Sequence, residues 1–229
     1  HRVNLVRVQE NSSTMRERYQ EYLSSLALTL LKDIRISDRI TVVRAGEQVR
    51  TVYQAIRESD LKRREIARIL GEGEVTASVN LGKAIFDALA GLLDALGPRR
   101  VTLITSGIYH PIAFRQYSLQ RIVQLARAHN IKVDVISYQG EDDPEKDQLV
   151  RSDWLELTNS TGGSYISAFD ESRLKDYYVD LTRDLDHRYV ITYRTESDEV
   201  LRGRYVDLRV EVEYAGSSGL ADAGYFIPE

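Results

Sequence analysis

Residues 10–14, Glu-Asn-Ser-Ser-Thr, place a carboxylate and three hydroxyls directly after a short apolar run, Val3 to Val8. Oxygens at this density can do two things. They can hold a hard cation such as Mg²⁺, which prefers octahedral oxygen ligation and one or two carboxylates. They can equally cap a helix, because Ser and Thr hydroxyls satisfy backbone N–H groups left open in the first turn. Thr14 followed three residues later by Glu17 fits a capping box, and Ser12 or Ser13 is an alternative cap. Glu10 also suits the positive end of a helix dipole.

A second oxygen-bearing turn starts at Ser106, after the apolar run Val101–Thr105, and His110 lies four residues beyond it. Ser106 or Ser12 with His110 could in principle form a nucleophile and base. No Gly-x-Ser-x-Gly elbow surrounds either serine and no third orienting group is visible, so a serine hydrolase stays a remote alternative. His110 reads as a surface or loop histidine. His1, His129 and His187 are scattered without metal-ligand spacing. Trp154 falls on a helix with Val150 and Leu157 and reads as core.

The elements that must position these residues alternate. A strand over Val3–Val8 leads into a helix from about Met15 to Lys32. Two strands, "RITVVRAG" and "EQVRTVYQAI", flank a hairpin at Ala45-Gly46. "SDLKRREIARIL" reads as a short helix. "NLGKAIFDALAGLLDALG" carries Leu81, Ile85, Ala88, Leu89, Leu92 and Leu96 on one face as far as Gly97-Pro98. "RVTLITSG" has the continuous apolar character of a parallel strand buried on both faces. A helix near 112–129, the strand "IKVDVISYQ", a helix near 144–160, the strand "SYISAFD" and a helix near 171–186 follow. This order predicts an α/β class: a doubly wound, Rossmann-like, mostly parallel sheet with helices on both faces. Past Arg188 the pattern turns to strands alone, "YVITYRT" and "RYVDLRVEVEY", then a "GSSG" turn and a last short strand in "ADAGYFIP". The expected division is residues 1–187 as the α/β domain and 188–229 as an antiparallel β extension packed on it.

Composition narrows the function. The chain has 229 residues, a net charge of −4 and no cysteine. Thiol nucleophiles, disulfides and sulfur-ligated zinc are therefore excluded. Acidic and basic residues are mixed, with no basic stripe to bind nucleic acid. No apolar run approaches the ~20 residues of a membrane span. The chain opens inside a strand with no signal peptide before it, as a mature or trimmed product would. Eight of the fourteen tyrosines lie from Tyr165 onward, where they suit half-buried strands.

The order "VNLVRVQENSSTM", long helix, "ASVNLGKAIFDAL", "VTLITSG" and "IKVDVISY" resembles a von Willebrand factor type A domain. The tail, "TGGSYISAFD", "DLDHRYVITYRT", "YVDLRVEVEY" and "GYFIP", resembles a bacterial branch related to that family. The resemblance implies a metal-ion-dependent adhesion site, in which Asp-x-Ser-x-Ser, a Thr and a second Asp hold Mg²⁺ for a partner's carboxylate. Here Glu10 stands at the first Asp, Ser12 and Thr14 at the hydroxyls, Val79 at the Thr and Ser106 at the second Asp. Val79 has no oxygen to give and Ser106 no charge, so the implied site is degenerate and no cofactor is expected. Glu10, Ser12 and Thr14 are the remaining metal candidates, with Asp142, Asp143 and Asp153 as the acids that could approach in space.

The expected function is a non-enzymatic protein-interaction or adhesion module. Its partner-binding rim would comprise Glu10, Ser12, Thr14, Val79, Ser106, Tyr109 and His110, and Glu10→Ala would leave partner affinity unchanged. The alternatives are a scaffold or homo- or hetero-oligomer pairing through the C-terminal extension, and a Mg²⁺-dependent adhesion domain with a rebuilt site. The resemblance implies a periplasmic, secreted or cell-surface location.

Overall fold

A computed structural model describes residues 4–13, 15, 39–55, 75–108, 110, 112–138, 144–167, 176, 204–214 and 217–226. Six strands form one sheet: β1 (Asn4–Glu10), β2 (Arg39–Ala45), β3 (Val49–Ala55), β4 (Arg99–Thr105), β5 (Lys132–Ser137) and β6 (Tyr165–Ser167). Their spatial order is β3-β2-β1-β4-β5-β6. All neighbours run parallel except the β2–β3 hairpin, whose antiparallel register slips at Val42/Val43. The order reverses between β1 and β4, so a crevice opens at the carboxyl ends of these two strands, where open α/β sheets place their ligands. A separate two-stranded antiparallel sheet, β7 (Tyr205–Tyr214) with β8 (Ser217–Phe226), carries the tail.

Side-chain alternation decides which residues reach the core. In β1, Val6 and Val8 face inward with Val43, Val101, Leu103, Val133 and Val135 of neighbouring strands. Three helices cover them: α1 (Leu81–Ala90), α2 (Leu119–Ala128) and α3 (Pro144–Thr161). In α1 the buried positions Leu81, Ala84, Ile85, Ala88 and Leu89 follow helical spacing, and Asn80 caps the start by accepting the Lys83 N–H at 3.1 Å. Ser118 caps α2 in the same way, accepting from Arg121 N at 3.3 Å. Trp154 is buried on α3 beside Val150 and Leu157, in tilted contact with Phe114.

Several element boundaries differ from the sequence reading. β1 runs on to Glu10, which puts the carboxylate on the strand itself, two residues beyond inward-facing Val8. α1 stops at Ala90 rather than near Gly97. Past Gly91 the backbone tightens into i→i+3 turns, with Leu92 N to Leu89 O at 2.9 Å and Ala95 N to Leu92 O at 3.1 Å. Leu96, expected on the buried stripe, is 88% exposed. Residues 112–117 form turns and bends, so the helix foreseen from about 112 starts only after its Ser118 cap. Ser217–Gly219, foreseen in a turn, belong to β8, which pairs along the full length of β7 with only residues 215–216 between them. In β7, Val206, Leu208 and Val210 are half-buried while Asp207, Arg209 and Glu211 are exposed, but Val212 breaks the alternation at 51% exposure. The helices foreseen at 15–32, in "SDLKRREIARIL" and at 171–186, and the strand "YVITYRT", lie outside the described residues, apart from helical positions at Met15 and Asp176.

Candidate functional site

Three loops meet over the crevice. Asn11 O accepts from Thr76 N at 3.2 Å, Ser12 and Thr76 form a parallel bridge, and Asn80 N donates to Gly46 O at 3.0 Å. The loop after β4 crosses above Glu10. The segments around 10–12, 76–80 and 106–110 are therefore contiguous.

At the centre lies the Glu10 carboxylate, fully buried. Oε1 accepts from Ser12 Oγ at 2.5 Å, from Ser106 Oγ at 2.7 Å and from His110 Nε2 at 3.2 Å. Oε2 accepts from Thr105 Oγ1 at 2.5 Å and from Ser106 N at 2.9 Å. A carboxylate offers about four lone-pair positions, and five donors fill them. The hydroxyls are committed on their other side as well: Ser12 Oγ accepts from Met15 N at 3.1 Å, and Ser106 Oγ from Ile108 N at 3.4 Å. Gly107, between Ser106 and Ile108, adopts φ 76°, the left-handed region that favours glycine.

The electrostatics follow. Burial pushes the Glu10 carboxyl up, but the His110 hydrogen bond and charge, then the Ser106 and Ser12 hydroxyls, outweigh it. The net effect holds the group below its ordinary value of 4.5. Glu10 is therefore an anion inside the protein, stabilised first by the His110 imidazole and then by the neutral hydroxyl donors.

Of the predicted site residues, Glu10, Ser12, Val79, Ser106, His110 and Asp153 are among those described. Ser12 accepts from Met15 N, as a helix cap does, and donates to Glu10. Ser106 and His110 converge on Glu10. His110, expected as a surface histidine, is instead a Glu10 partner with a side chain only 10% exposed. Val79 is fully buried in the hydrophobic core and turns no polar atom to the site. Glu10, Ser12, Val79 and Ser106 are all buried, so they form the floor under the rim rather than its exposed face. Thr14, Tyr109, Asp142 and Asp143 lie outside the described residues. Thr105 was missed; its one signal was its position beside Ser106 at a strand end. Because five donors converge on Glu10, Glu10→Ala would leave them without that acceptor, a cost to stability that the sequence did not reveal. Neither serine donates to His110; both donate to Glu10, so no nucleophile–base pair forms among these three residues.

This donor set does not fit Mg²⁺. It offers a single carboxylate whose oxygens already accept from five donors, and hydroxyls whose hydrogens point at that carboxylate. Among the described residues, no group of three or more His, Asp and Glu side chains is placed to hold a metal ion.

No protein-family model matches the sequence, and neither does any curated protein. Solved structures do match in fold. One is BatB from Bacteroides thetaiotaomicron, at TM-score 0.59 and 16% identity, over 81% of this chain and all of that one. Another is a von Willebrand factor type A protein from Catenulispora acidiphila, at TM-score 0.61 and 14% identity, over 99% of this chain and 55% of that one. The chain has a von Willebrand factor A-like fold. A third neighbour with this fold is proximal thread matrix protein 1 from the mussel byssus, whose MIDAS motif holds zinc. It aligns at TM-score 0.60 and 11% identity, over 79% of this chain and 46% of that one. Within the von Willebrand factor A-like fold, the Glu10 crevice stands at the carboxyl ends of the two central strands.

Proposed function

We propose that this chain is a non-enzymatic protein-interaction domain that docks its partner on the rim above the β1/β4 crevice without a bound metal ion. One observation carries the reading: the Glu10 carboxylate is saturated by Ser12, Thr105, Ser106 and His110, so the loops are held in place by hydrogen bonds internal to the protein. Exposed Ser13 and Ala77, with half-buried Ser78, Asn80 and Ile108, supply the contact surface. Shape and hydrogen bonding from a preorganised rim then take the role that an ion would play. The fold likeness to a byssal thread matrix protein supports a periplasmic, secreted or cell-surface location. Among the described residues no helix is long and apolar enough to cross a membrane.

The test has two parts. Thermal melts in EDTA and in millimolar Mg²⁺, Mn²⁺ or Ca²⁺ should coincide. An ion at 100 times its dissociation constant would add about 2.7 kcal/mol, and such a rise would overturn the metal-free reading. Partner retained by the wild-type domain in EDTA should be lost on Ala77→Arg and kept on Val212→Arg, which alters the far end of the β7–β8 hairpin. The opposite pattern would move the interface to the hairpin.

A further inference from the structure

The five contacts to Glu10 are not equivalent. Four come from Ser12, Thr105 and Ser106, all buried and all at 2.9 Å or less. The fifth, His110 Nε2, is the longest at 3.2 Å and comes from the one contacting side chain with a face toward solvent. Without the ring, what remains is a cup in which Oε1 keeps the Ser12 and Ser106 hydroxyls and loses the third donor it now accepts, the one on the solvent side.

We infer that His110 is a displaceable plug and that the cup recognises a cationic side chain, a primary ammonium or guanidinium presented by the partner. This deepens the rim reading and rests on it. The chemistry selects the ligand. An ionised carboxylate only accepts hydrogen bonds, so whatever replaces the imidazole must donate. A charged donor bonds a carboxylate roughly twice as strongly as a neutral one. An acidic group in the same place would meet a buried like charge. The polarity is thus reversed from a resident metal ion, which receives a partner's acid: here a resident anion receives a partner's base.

The local backbone permits the exchange. His110 O accepts from Ala113 N at 2.9 Å, and Ala113 O accepts from Gly82 N at 2.7 Å, so the loop is anchored on α1 independently of the ring. Gly82 makes this docking possible, because a Cβ there would lie 2.8 Å from the carbonyl oxygens of both Ala113 and Tyr117. The backbone anchor at His110 therefore does not depend on its ring.

The experiment is an NMR titration of the ¹⁵N-labelled protein with acetyl-Gly-Lys-Gly-amide, with the same peptide acetylated on the lysine Nε, and with MgCl₂. Saturable shifts at the Ser106, Ile108 and His110 amides are expected with the lysine peptide and not with the acetylated one. Removing the plug raises the competent fraction, so His110→Ala should bind roughly tenfold tighter. Glu10→Gln should abolish the shifts. If Glu10→Gln does not fold by its melting curve, the His110→Ala gain decides alone. Equal response to the acetylated peptide, no gain in His110→Ala, or shifts with Mg²⁺ in place of the peptide would each overturn the inference. The peptide reads the cup with no protein partner present. Its failure therefore removes the cation and leaves the rim to be judged by Ala77→Arg.

Discussion

Among the described residues the sheet buries two carboxylates, and they are stabilised differently. Asp134, in the middle of β5, is fully buried and paired with a resident cation: Arg100 Nε lies 2.6 Å from Oδ2, and Ser164 N donates to Oδ1 at 2.9 Å. Glu10, at the end of β1, is just as buried, but its partners are three hydroxyls, a backbone N–H and one imidazole. Asp134 sits inside the strand ladder beside a guanidinium from the neighbouring strand. Glu10 sits at the switch point, where loops rather than strands close over it. A charge with a fixed counter-ion is a finished structural element. The Glu10 charge instead relies first on an imidazole carried by a loop and then on neutral donors.

The contrast can be broken experimentally. Arg100→Ala leaves the Asp134 charge buried without Arg100 and should cost about 3–5 kcal/mol in chemical denaturation. A loss under ~1 kcal/mol would mean the ion pair is not what stabilises Asp134. The combined change Glu10→Asp, Val79→Thr and Ser106→Asp restores two carboxylates and a third hydroxyl. It should gain an EDTA-sensitive stabilisation of about 2.7 kcal/mol at Mg²⁺ 100 times above its dissociation constant. No gain would mean that the loops, and not only these three side chains, exclude the ion.

Glu10→Gln keeps the shape and removes the charge, which should cost about 1–3 kcal/mol through mismatched donors. It also tests the sign of the pH dependence. The folded-state value of Glu10 lies below its ordinary 4.5, so its contribution is present above that pH and is lost as pH falls through the folded value. Denaturation midpoints from pH 7 downward should therefore fall less steeply in Glu10→Gln than in wild type. The smallest effect belongs to His110→Ala. Four neutral donors remain on Glu10, so the cost should be about 1 kcal/mol, well below that of Arg100→Ala. Equal costs for the two would erase the distinction between a fixed counter-ion and a plug.

Much of this was legible in the chain. The apolar runs Val101–Thr105 and Val133–Ser137 announce parallel strands buried on both faces, and the helical stripe from Leu81 to Leu89 announces its own buried face. That Val79 carries no oxygen and Ser106 no charge is legible as residue chemistry alone. Periodicity failed at local turn chemistry. Gly91 and Ser118 set the ends of α1 and α2, because the caps and i→i+3 turns there override a stripe that continues on paper.

The site depended more on the third dimension. The sequence by itself determined the layer architecture and the presence of oxygens at two strand ends, because side-chain period and residue chemistry are local properties. It did not reveal that Glu10 is buried, that Thr105 belongs with Ser12, or that His110 turns inward. Those facts arise from contacts spanning 95 to 100 positions of chain. Only the pairing of β1 with β4 brings such distant residues within hydrogen-bonding distance, and only burial there turns an ordinary glutamate into an anion that five donors must satisfy.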